Sequence, residues 1–191
     1  MVREILLLLK NLVNAHLAAS LDGDTFEQEP VVFLESEKLD VLEFKLGAVT
    51  LLLVNLEEEH AVRPADPHRR TLPDGSIQKV SPPILLNLYV LFVARFKEYL
   101  QGARYISQIL QFFLKNRVLD HENTPALSDK IDKLTVELLS LPFAEQNHLW
   151  GILRTAYQPS LLYKVRMAAF LDEEGVTPPV ITDPTHKVIR L

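Results

Sequence analysis

The segment ILLNLYVLFVARF, Ile84 to Phe96, decides the fold because it holds the longest apolar run beyond the N-terminal region. It is rich in β-branched and aromatic residues, which pack well on the pleated surface of a sheet. Pro82 and Pro83 stand directly before it and mark where it begins. We therefore predict that this segment is the central strand of a sheet.

Four further segments have strand patterns. They are PVVFLES (Pro30–Ser36), GAVTLLLVNLEEE (Gly47–Glu59), KIDKLTVELLSL (Lys130–Leu141) and SLLYKVRMAAF (Ser160–Phe170). The second is apolar almost throughout its first half, which is typical of a strand buried on both faces. The third fits a helix as well as a strand, and its Thr-Val pair and the following proline favour a strand.

Three segments have the three-to-four spacing of apolar residues that is typical of helices. The first runs from Val2 to Leu21, the second from Lys97 to Asn116, and the third begins after Pro142. The predicted core faces are Leu6, Leu9, Val13 and Leu17 in the first, Tyr99, Ala103, Ile106, Leu110 and Phe113 with Leu114 in the second, and Phe143, Trp150 and Leu153 in the third. We predict one α+β domain, with a mainly antiparallel or mixed sheet flanked by about three helices.

Length and composition fit one folded domain: 191 residues, 48% apolar and 24% charged. The chain has no cysteine, which excludes disulfides and thiolate chemistry and suits a reducing cytoplasm. Its net charge of -5 gives no general attraction to nucleic acid. Lys10 interrupts the N-terminal apolar run, so we expect neither a secretory signal nor a membrane span.

Residues 63–83, RPADPHRRTLPDGSIQKVSPP, contain five prolines and no apolar periodicity, which predicts a long arm loop. Four of its cations are candidates for contact with an acidic partner, and a solvated loop is the alternative. They are Arg63, Arg69, Arg70 and Lys79. We assign residues 1–171 to the α/β domain and residues 172–191 to a proline-rich C-terminal extension. That extension is either a loosely attached tail or a strand that pairs with a neighbouring subunit.

No pattern in the chain predicts a catalytic, metal or cofactor site. The six histidines are scattered, and none has the spacing of a histidine metal site. Asp120, His121 and Glu122 are adjacent, and adjacent side chains do not converge on one ion, so we predict a solvated turn. There is no phosphate-binding glycine loop and no nucleophile elbow.

The last predicted strand has two different faces. Tyr163, Val165, Met167 and Ala169 alternate with Lys164, Arg166 and Ala168. The first set predicts a buried face, and the second predicts a basic one. Lys164 and Arg166 are therefore interface candidates, and a solvated sheet face is the alternative.

Four stretches carry a family resemblance. They are VTLLLVNLEEE, PPILLNLYVLFVARF, the connector with Asn123-Thr124-Pro125, and FAEQNHLWGILRTAYQPSLLYKVRM (Phe143 to Met167). Together they resemble the cap, or tail-terminator, family of contractile injection systems, the phage-tail-like particles typified by the Photorhabdus virulence cassette and the antifeeding prophage. The resemblance extends from the first helix to about Met167. Its most specific parts are Asn87-Leu88-Tyr89, Leu149-Trp150, Pro159-Ser160 and Tyr163 to Arg166.

This resemblance implies a non-enzymatic structural protein without a cofactor, whose fold is similar to that of phage tail terminators. It implies a homohexameric ring that sits on the end of the inner tube, stops its polymerisation and contacts the last layer of the sheath. The partners would be other copies of the chain and the tube and sheath proteins, with no nucleic acid or membrane. The particle would be assembled in the cytoplasm.

Two other interpretations remain open at the level of the sequence. One is a small-molecule-binding or enzymatic domain, with residues 63–83 as a lid over a pocket lined by Trp150, Tyr157 and Tyr163. The other is a neck or baseplate adaptor of a phage-like tail. A pocket with convergent polar groups would favour the first, and the position of the protein in a particle would decide the second.

Overall fold

The helices and strands follow the sequence pattern closely. The computed structural model describes residues 1–20, 29–34, 42–59, 69–71, 77–79 and 84–169. In order, the elements in these ranges are α1 Val2–Ser20, β1 Val31–Phe33, β2 Ala48–Glu58, β3 Arg69–Thr71, β4 Ile77–Lys79, β5 Ile84–Arg95, α2 Tyr99–Lys115, β6 Val118–Asp120, β7 Ile131–Leu138, α3 Phe143–Leu153 and β8 Ser160–Ala169. The predicted α+β class with three helices is confirmed.

Six strands form the main sheet in the order β1-β2-β5-β8-β7-β6. The pair β1–β2 is parallel and the other neighbours are antiparallel, so the sheet is mixed. β5 lies in the interior of this order, which confirms it as a central strand. The ambiguous segment at Lys130 is strand β7, as predicted.

One face of the sheet packs against α1 and α2. The strands contribute Leu51, Val90 and Val165 among others to this core, and α1 contributes Leu9 and Val13. At its centre the rings of Phe92 and Phe113 lie 5.8 Å apart. The Tyr163 ring lies 5.9 Å from Phe92 and 4.7 Å from Phe113. This aromatic cluster joins the two middle strands to α2.

The opposite face is covered over only part of its length. Leu91, Val93 and Leu162 pack there against Phe44 and Trp150, and the Phe44 and Trp150 rings meet edge to face at 6.2 Å. The remainder of this face carries polar residues and has no helix over it in the described ranges. We call that remainder the open face.

A register shift in β2 separates the covered and open parts of this face. Leu53 pairs with Val90 and Asn55 pairs with Tyr89, so Val54 is one extra residue in the strand. Such a β-bulge lets two successive residues lie on one side of a sheet. Asn55 and Glu57 therefore reach the open face, although strict alternation from Leu51 would place them on the face that packs against α1 and α2.

The predicted core face of α2 is correct at Phe113, partly correct at Ile106, and wrong at Tyr99 and Leu114. The buried residues are Gly102, Tyr105, Ile109 and Phe113, whereas Tyr99 is 74% exposed. Both sets have three-to-four spacing and share Phe113, so the pattern alone could not separate them. Gly102 is buried, but a Cβ there would lie 3.5 Å from the Phe96 ring, an ordinary contact distance, so the packing at this position does not require glycine.

The predicted core face of α3 is correct at Trp150 and Leu153 and wrong at Phe143. Trp150 and Leu153 are 6% and 8% exposed, but Phe143 is 90% exposed. Phe143 is the first residue of the helix, and only the second half of α3 faces the sheet. Spacing identifies a shared side of a helix, but not the point at which the helix leaves the core.

The segment 63–83 is not wholly without regular structure, contrary to the prediction. Arg69–Thr71 pairs antiparallel with Ile77–Lys79 in a separate two-stranded sheet. The sequence Pro73-Asp74-Gly75 between the two strands is a turn signal that could have indicated this hairpin. Three-residue strands are too short to show an alternating pattern. Arg63 and the C-terminal extension 172–191 lie outside the described residues.

Candidate interface

The hairpin brings two of the predicted interface cations to opposed positions. The register pairs Arg69 with Lys79 and Arg70 with Gln78. Three cations of the arm are thus held within two short paired strands. Their assignment to an interface remains a prediction.

Lys164 and Arg166 lie on β8 as predicted, on the open face and opposite the buried Tyr163 and Val165. The Lys164 Nζ atom lies 3.8 Å from the Glu59 Oε2 atom. The Arg166 Nη2 atom lies 3.9 Å from the Glu137 Oε2 atom. Because each cation has a carboxylate beside it, the open face is mixed in charge and not basic, which corrects the predicted basic face.

Hydrogen bonds join the polar groups of the open face between β2 and β5, and the Lys164–Glu59 ion pair adds β8. The Asn87 amide donates to the Glu59 Oε2 atom at 3.0 Å. The Tyr89 hydroxyl donates to Glu57 at 2.7 Å, and the Asn55 amide donates to the other Glu57 oxygen at 2.9 Å. Glu57 and Glu59 are the acids that the sequence interpretation placed at a solvated strand end. In the structure they connect β2 to β5 and β8.

Tyr89 gives this network a measurable pH dependence. The hydrogen bond to Glu57, then partial burial, then the charges of Glu57 and Glu59 raise the pKa of Tyr89. A folded-state pKa above the unfolded value stabilises the protein below about pH 10, and this contribution is lost as the pH rises through the folded-state pKa. We expect wild type to lose more stability than Tyr89→Phe between pH 8 and pH values above about 10. Urea unfolding at both pH values measures this.

Glu57→Gln is the matched control for that experiment. It keeps the Tyr89 phenol and removes the charged acceptor that raises its pKa. Its loss of stability at high pH should fall between those of wild type and Tyr89→Phe. Equal pH profiles for all three proteins would contradict the assignment.

A surface groove lies along α3 and the residues that follow it, and we call it the α3 groove. It has a volume of about 580 Å³. It is lined by Phe143, Gln146, Asn147, Trp150, Gly151, Arg154, Thr155, Ala156 and Tyr157. The Trp150 and Tyr157 rings meet edge to face at 5.6 Å and form one wall. The alternative with a lidded pocket expected Tyr163 in the same lining, but Tyr163 lies in the aromatic cluster, where burial raises its pKa.

The end of α3 has an unusual backbone at the groove. Arg154 follows the helix with φ 51° and ψ 36°, a left-handed conformation. Glycine is the usual residue there, because a side chain in this conformation costs about 1–2 kcal/mol. Arg154 is exposed and lines the groove, so the chain carries a cation at a position where a glycine would be more stable.

Gly151 leaves the floor of the α3 groove open. A Cβ added there would meet no atom within 4 Å. We expect Gly151→Ala to raise the free energy of unfolding by about 0.5–1 kcal/mol, because alanine has the higher helix propensity. Gly47→Ala is the contrasting variant, since Gly47 has φ 81° and should lose about 1 kcal/mol. Urea denaturation of both variants tests the pair, and a loss of stability in Gly151→Ala would contradict an open floor.

Large apolar side chains are exposed at two further places. Tyr99 and Leu100, in the first turn of α2, are 74% and 79% exposed, and Ile152 of α3 is 79% exposed. The sequence analysis placed Tyr99 in the core, and it made no prediction for Leu100 or Ile152. Contiguous exposed apolar groups are typical of interaction sites.

The described residues show neither a metal cluster nor a membrane helix. No group of three or more histidine, aspartate or glutamate side chains in the described ranges could hold a metal ion. Asp120 ends β6, and its Oδ1 atom accepts hydrogen bonds from the Glu122 and Asn123 backbone N–H groups of the following turn, both at 3.0 Å. None of the helices described is long and apolar enough to cross a membrane.

The chain matches a family described as the Pvc16 N-terminal domain over residues 4–183. It is similar in structure to the sheath/tube terminator of PVC, an extracellular contractile injection system, in its extended state. The TM-score is 0.58 at 15% identity, over 96% of this chain and 64% of that one. The cap of the anti-feeding prophage, described as a tube terminating cap, gives a TM-score of 0.49 at 16% identity, over 74% of this chain and 48% of that one. No curated protein matches the chain.

Proposed function

The chain belongs to the Pvc16 N-terminal domain family, and from this premise we propose that it is a structural cap of a contractile injection system. The cap binds the end of the inner tube and sheath, ends their polymerisation and fixes the particle length. The observation that carries the proposal is the family match over residues 4–183. The fold shared with a sheath/tube terminator supports it. This chain spans 64% of the length of that terminator.

The cap acts as a homohexameric ring assembled on the particle in the cytoplasm, and it has no enzymatic role. Closed symmetry repeats one modest contact around a tube, so weak subunit contacts add up to firm attachment. The described surface suits this role. It offers an open groove, exposed apolar side chains and compensated charges, and its acids and cations form pairs instead of a catalytic arrangement.

Two segments beyond the main sheet reach the neighbouring proteins in this proposal. Residues 1–171 form the terminator domain, with the arm at 63–83, and residues 172–191 form a C-terminal extension. The arm cations dock on acidic groups of the tube or sheath, and the set is Arg63, Arg69, Arg70 and Lys79. Lys164 and Arg166 lie at a subunit or tube interface, where an incoming acid would compete with Glu59 and Glu137.

Particles from a strain that lacks the gene test the cap function. Negative-stain microscopy should show tubes of uncontrolled length in the deletion strain and normal lengths after complementation. The purified protein should form rings. Normal tube lengths without the protein, with the protein located at the baseplate or neck, would favour the adaptor interpretation and overturn the cap.

The arm is tested by substitution of its three described cations. Arg69→Gln, Arg70→Gln and Lys79→Gln together keep the length and the turn of the hairpin and remove three charges. We expect co-purification with tubes to be lost while rings still form. The reason is that the arm is attracted to carboxylates on the tube or sheath, and the variant no longer carries the cations that pair with them. Lysine at positions 69 and 70 is the control, since it keeps the charge. Unchanged attachment of the glutamine variant would exclude the docking role.

The charge of the open face is tested separately. Lys164→Glu with Arg166→Glu should prevent normal capping. The two new glutamates stand beside Glu59 and Glu137, so four like charges come together. A second protein that also carries Glu59→Lys and Glu137→Arg restores the pairs within the chain and controls for folding. Normal rings and capped tubes from the first variant would remove these two residues from the interface.

A further inference from the structure

The first turn of α2 forms a protruding apolar knob with an acid beside it. We call Glu98, Tyr99 and Leu100 the α2 knob. Tyr99 and Leu100 are among the most exposed apolar side chains of the described chain. Glu98 is the residue before the helix, it is exposed, and its side chain makes no capping hydrogen bond. The knob therefore offers an apolar pair and a carboxylate that the helix itself does not use.

The α3 groove has complementary features. Trp150 and Tyr157 give it an aromatic wall, and Gly151 leaves its floor open. Arg154 supplies a cation in its lining. The groove volume of about 580 Å³ lies in the range of sites that enclose several side chains or a small ligand.

The knob and the groove belong to helices on opposite faces of the sheet. α2 packs with α1 on the face that holds Phe92 and Tyr163, whereas α3 packs on the face that holds Leu91 and Leu162. The knob is exposed in the described chain, so it does not occupy the groove of its own chain. A contact between different surfaces of two identical chains is heterologous, and it propagates from copy to copy until a rotation closes the ring.

We propose that the α2 knob of one copy seats in the α3 groove of the next copy and that this contact builds the ring. Tyr99 and Leu100 fill the groove beside Trp150 and Tyr157, and Glu98 pairs with Arg154. This pairing gives the left-handed Arg154 a function that glycine could not supply, in keeping with the tendency of backbone strain to occur at functional sites. The inference rests on the proposed ring and names the surface that forms it.

Cysteine cross-linking tests the contact directly, because the chain contains no cysteine of its own. Leu100→Cys is placed in the knob and Asn147→Cys in the groove, at two exposed positions. After mild oxidation, a protein with both cysteines should give a ladder of linked oligomers up to the closed ring on a non-reducing gel. An equal mixture of the two single-cysteine proteins should stop at dimers, and each single-cysteine protein alone should remain unlinked.

The cross-linking outcomes separate this inference from the cap function. Dimers from Leu100→Cys alone would show a contact between identical surfaces and overturn the heterologous arrangement. Rings seen by microscopy without any knob-to-groove link would also overturn it, and the cap function would stand. If the cysteine variants form rings without this link and fail to bind tubes, the groove faces the tube and not the neighbouring copy. A monodisperse monomer that leaves tube length unchanged would overturn the cap function as well.

Two sets of variants test the chemistry of the contact. Glu98→Arg and Arg154→Glu should each raise the dissociation constant of the ring at least about tenfold, and the double swap should restore most of the affinity. Gly151→Leu should fill the groove, because the space around a Cβ at this position is open, and the variant should stay folded and become monomeric. Analytical ultracentrifugation measures the assembly and circular dichroism checks the fold. A Gly151→Leu protein that forms normal rings would overturn the proposal.

Discussion

Trp150→Ala is expected to lower the free energy of unfolding by about 3–5 kcal/mol, the usual cost of removing a buried tryptophan. Trp150 is 6% exposed, and it packs with Phe44, Leu91 and Leu162. It therefore fastens α3 to the sheet. For a chain of this length the midpoint of thermal unfolding should fall by about 10 °C. A circular dichroism melt measures this fall, and a midpoint close to that of wild type would show that α3 is held by other contacts.

Trp150→Phe is the control that separates the ring from the indole N–H group. The buried Nε1 atom has no hydrogen-bond partner among the described residues, so its removal forfeits no bond there, and a smaller apolar ring should cost about 1 kcal/mol. Trp150 is also a wall of the α3 groove. The alanine variant should thus lose stability and ring assembly together, whereas the phenylalanine variant should keep both.

Phe92→Ala should lower the free energy of unfolding by a similar amount, but it should leave ring assembly intact. Phe92 is fully buried between Phe113 and Tyr163, and its loss opens a cavity where β5, β8 and α2 meet. We expect a loss of about 3–5 kcal/mol in the free energy of unfolding. Urea denaturation gives this value directly.

Phe92→Leu controls for that variant, because a change that nearly conserves volume should cost less than about 1.5 kcal/mol. Neither substitution touches the lining of the α3 groove. The folded fraction of Phe92→Ala should therefore still form rings when the temperature is lowered. If it folds but no longer assembles, the two faces of the sheet are coupled more strongly than their separate cores indicate.

The sequence predicts the elements of this fold better than it predicts their orientation. Long apolar runs identify β2 and β5, and alternation identifies β8, because each pattern spans enough residues to be unambiguous. The family resemblance to caps is confirmed as well, by the match over residues 4–183. The hairpin at Arg69 was missed because its strands have three residues each.

The candidate interface was harder to predict for physical reasons. Alternation correctly placed Lys164 and Arg166 opposite Tyr163, but Glu59 and Glu137 come from other strands, so their proximity is a product of the sheet order. The exposure of Tyr99 depends on where α2 leaves the sheet, and helical spacing carries no information about that. Arg154 gave no signal, since a left-handed residue other than glycine has no sequence pattern.

The bulge at Val54 makes this part of the sheet tolerant of a change in length. In a regular strand, the loss of one residue turns every following side chain to the opposite face. Removal of Val54 would instead leave Leu53 opposite Val90 and Asn55 opposite Tyr89, which are the pairs that already exist. Relatives that lack this residue would keep the same strand pairs and the same polar surface, and they would lose only the packing of Val54 against the core around Trp150. Insertions and deletions in β2 should thus be most acceptable here, where the apolar and charged halves of the strand meet.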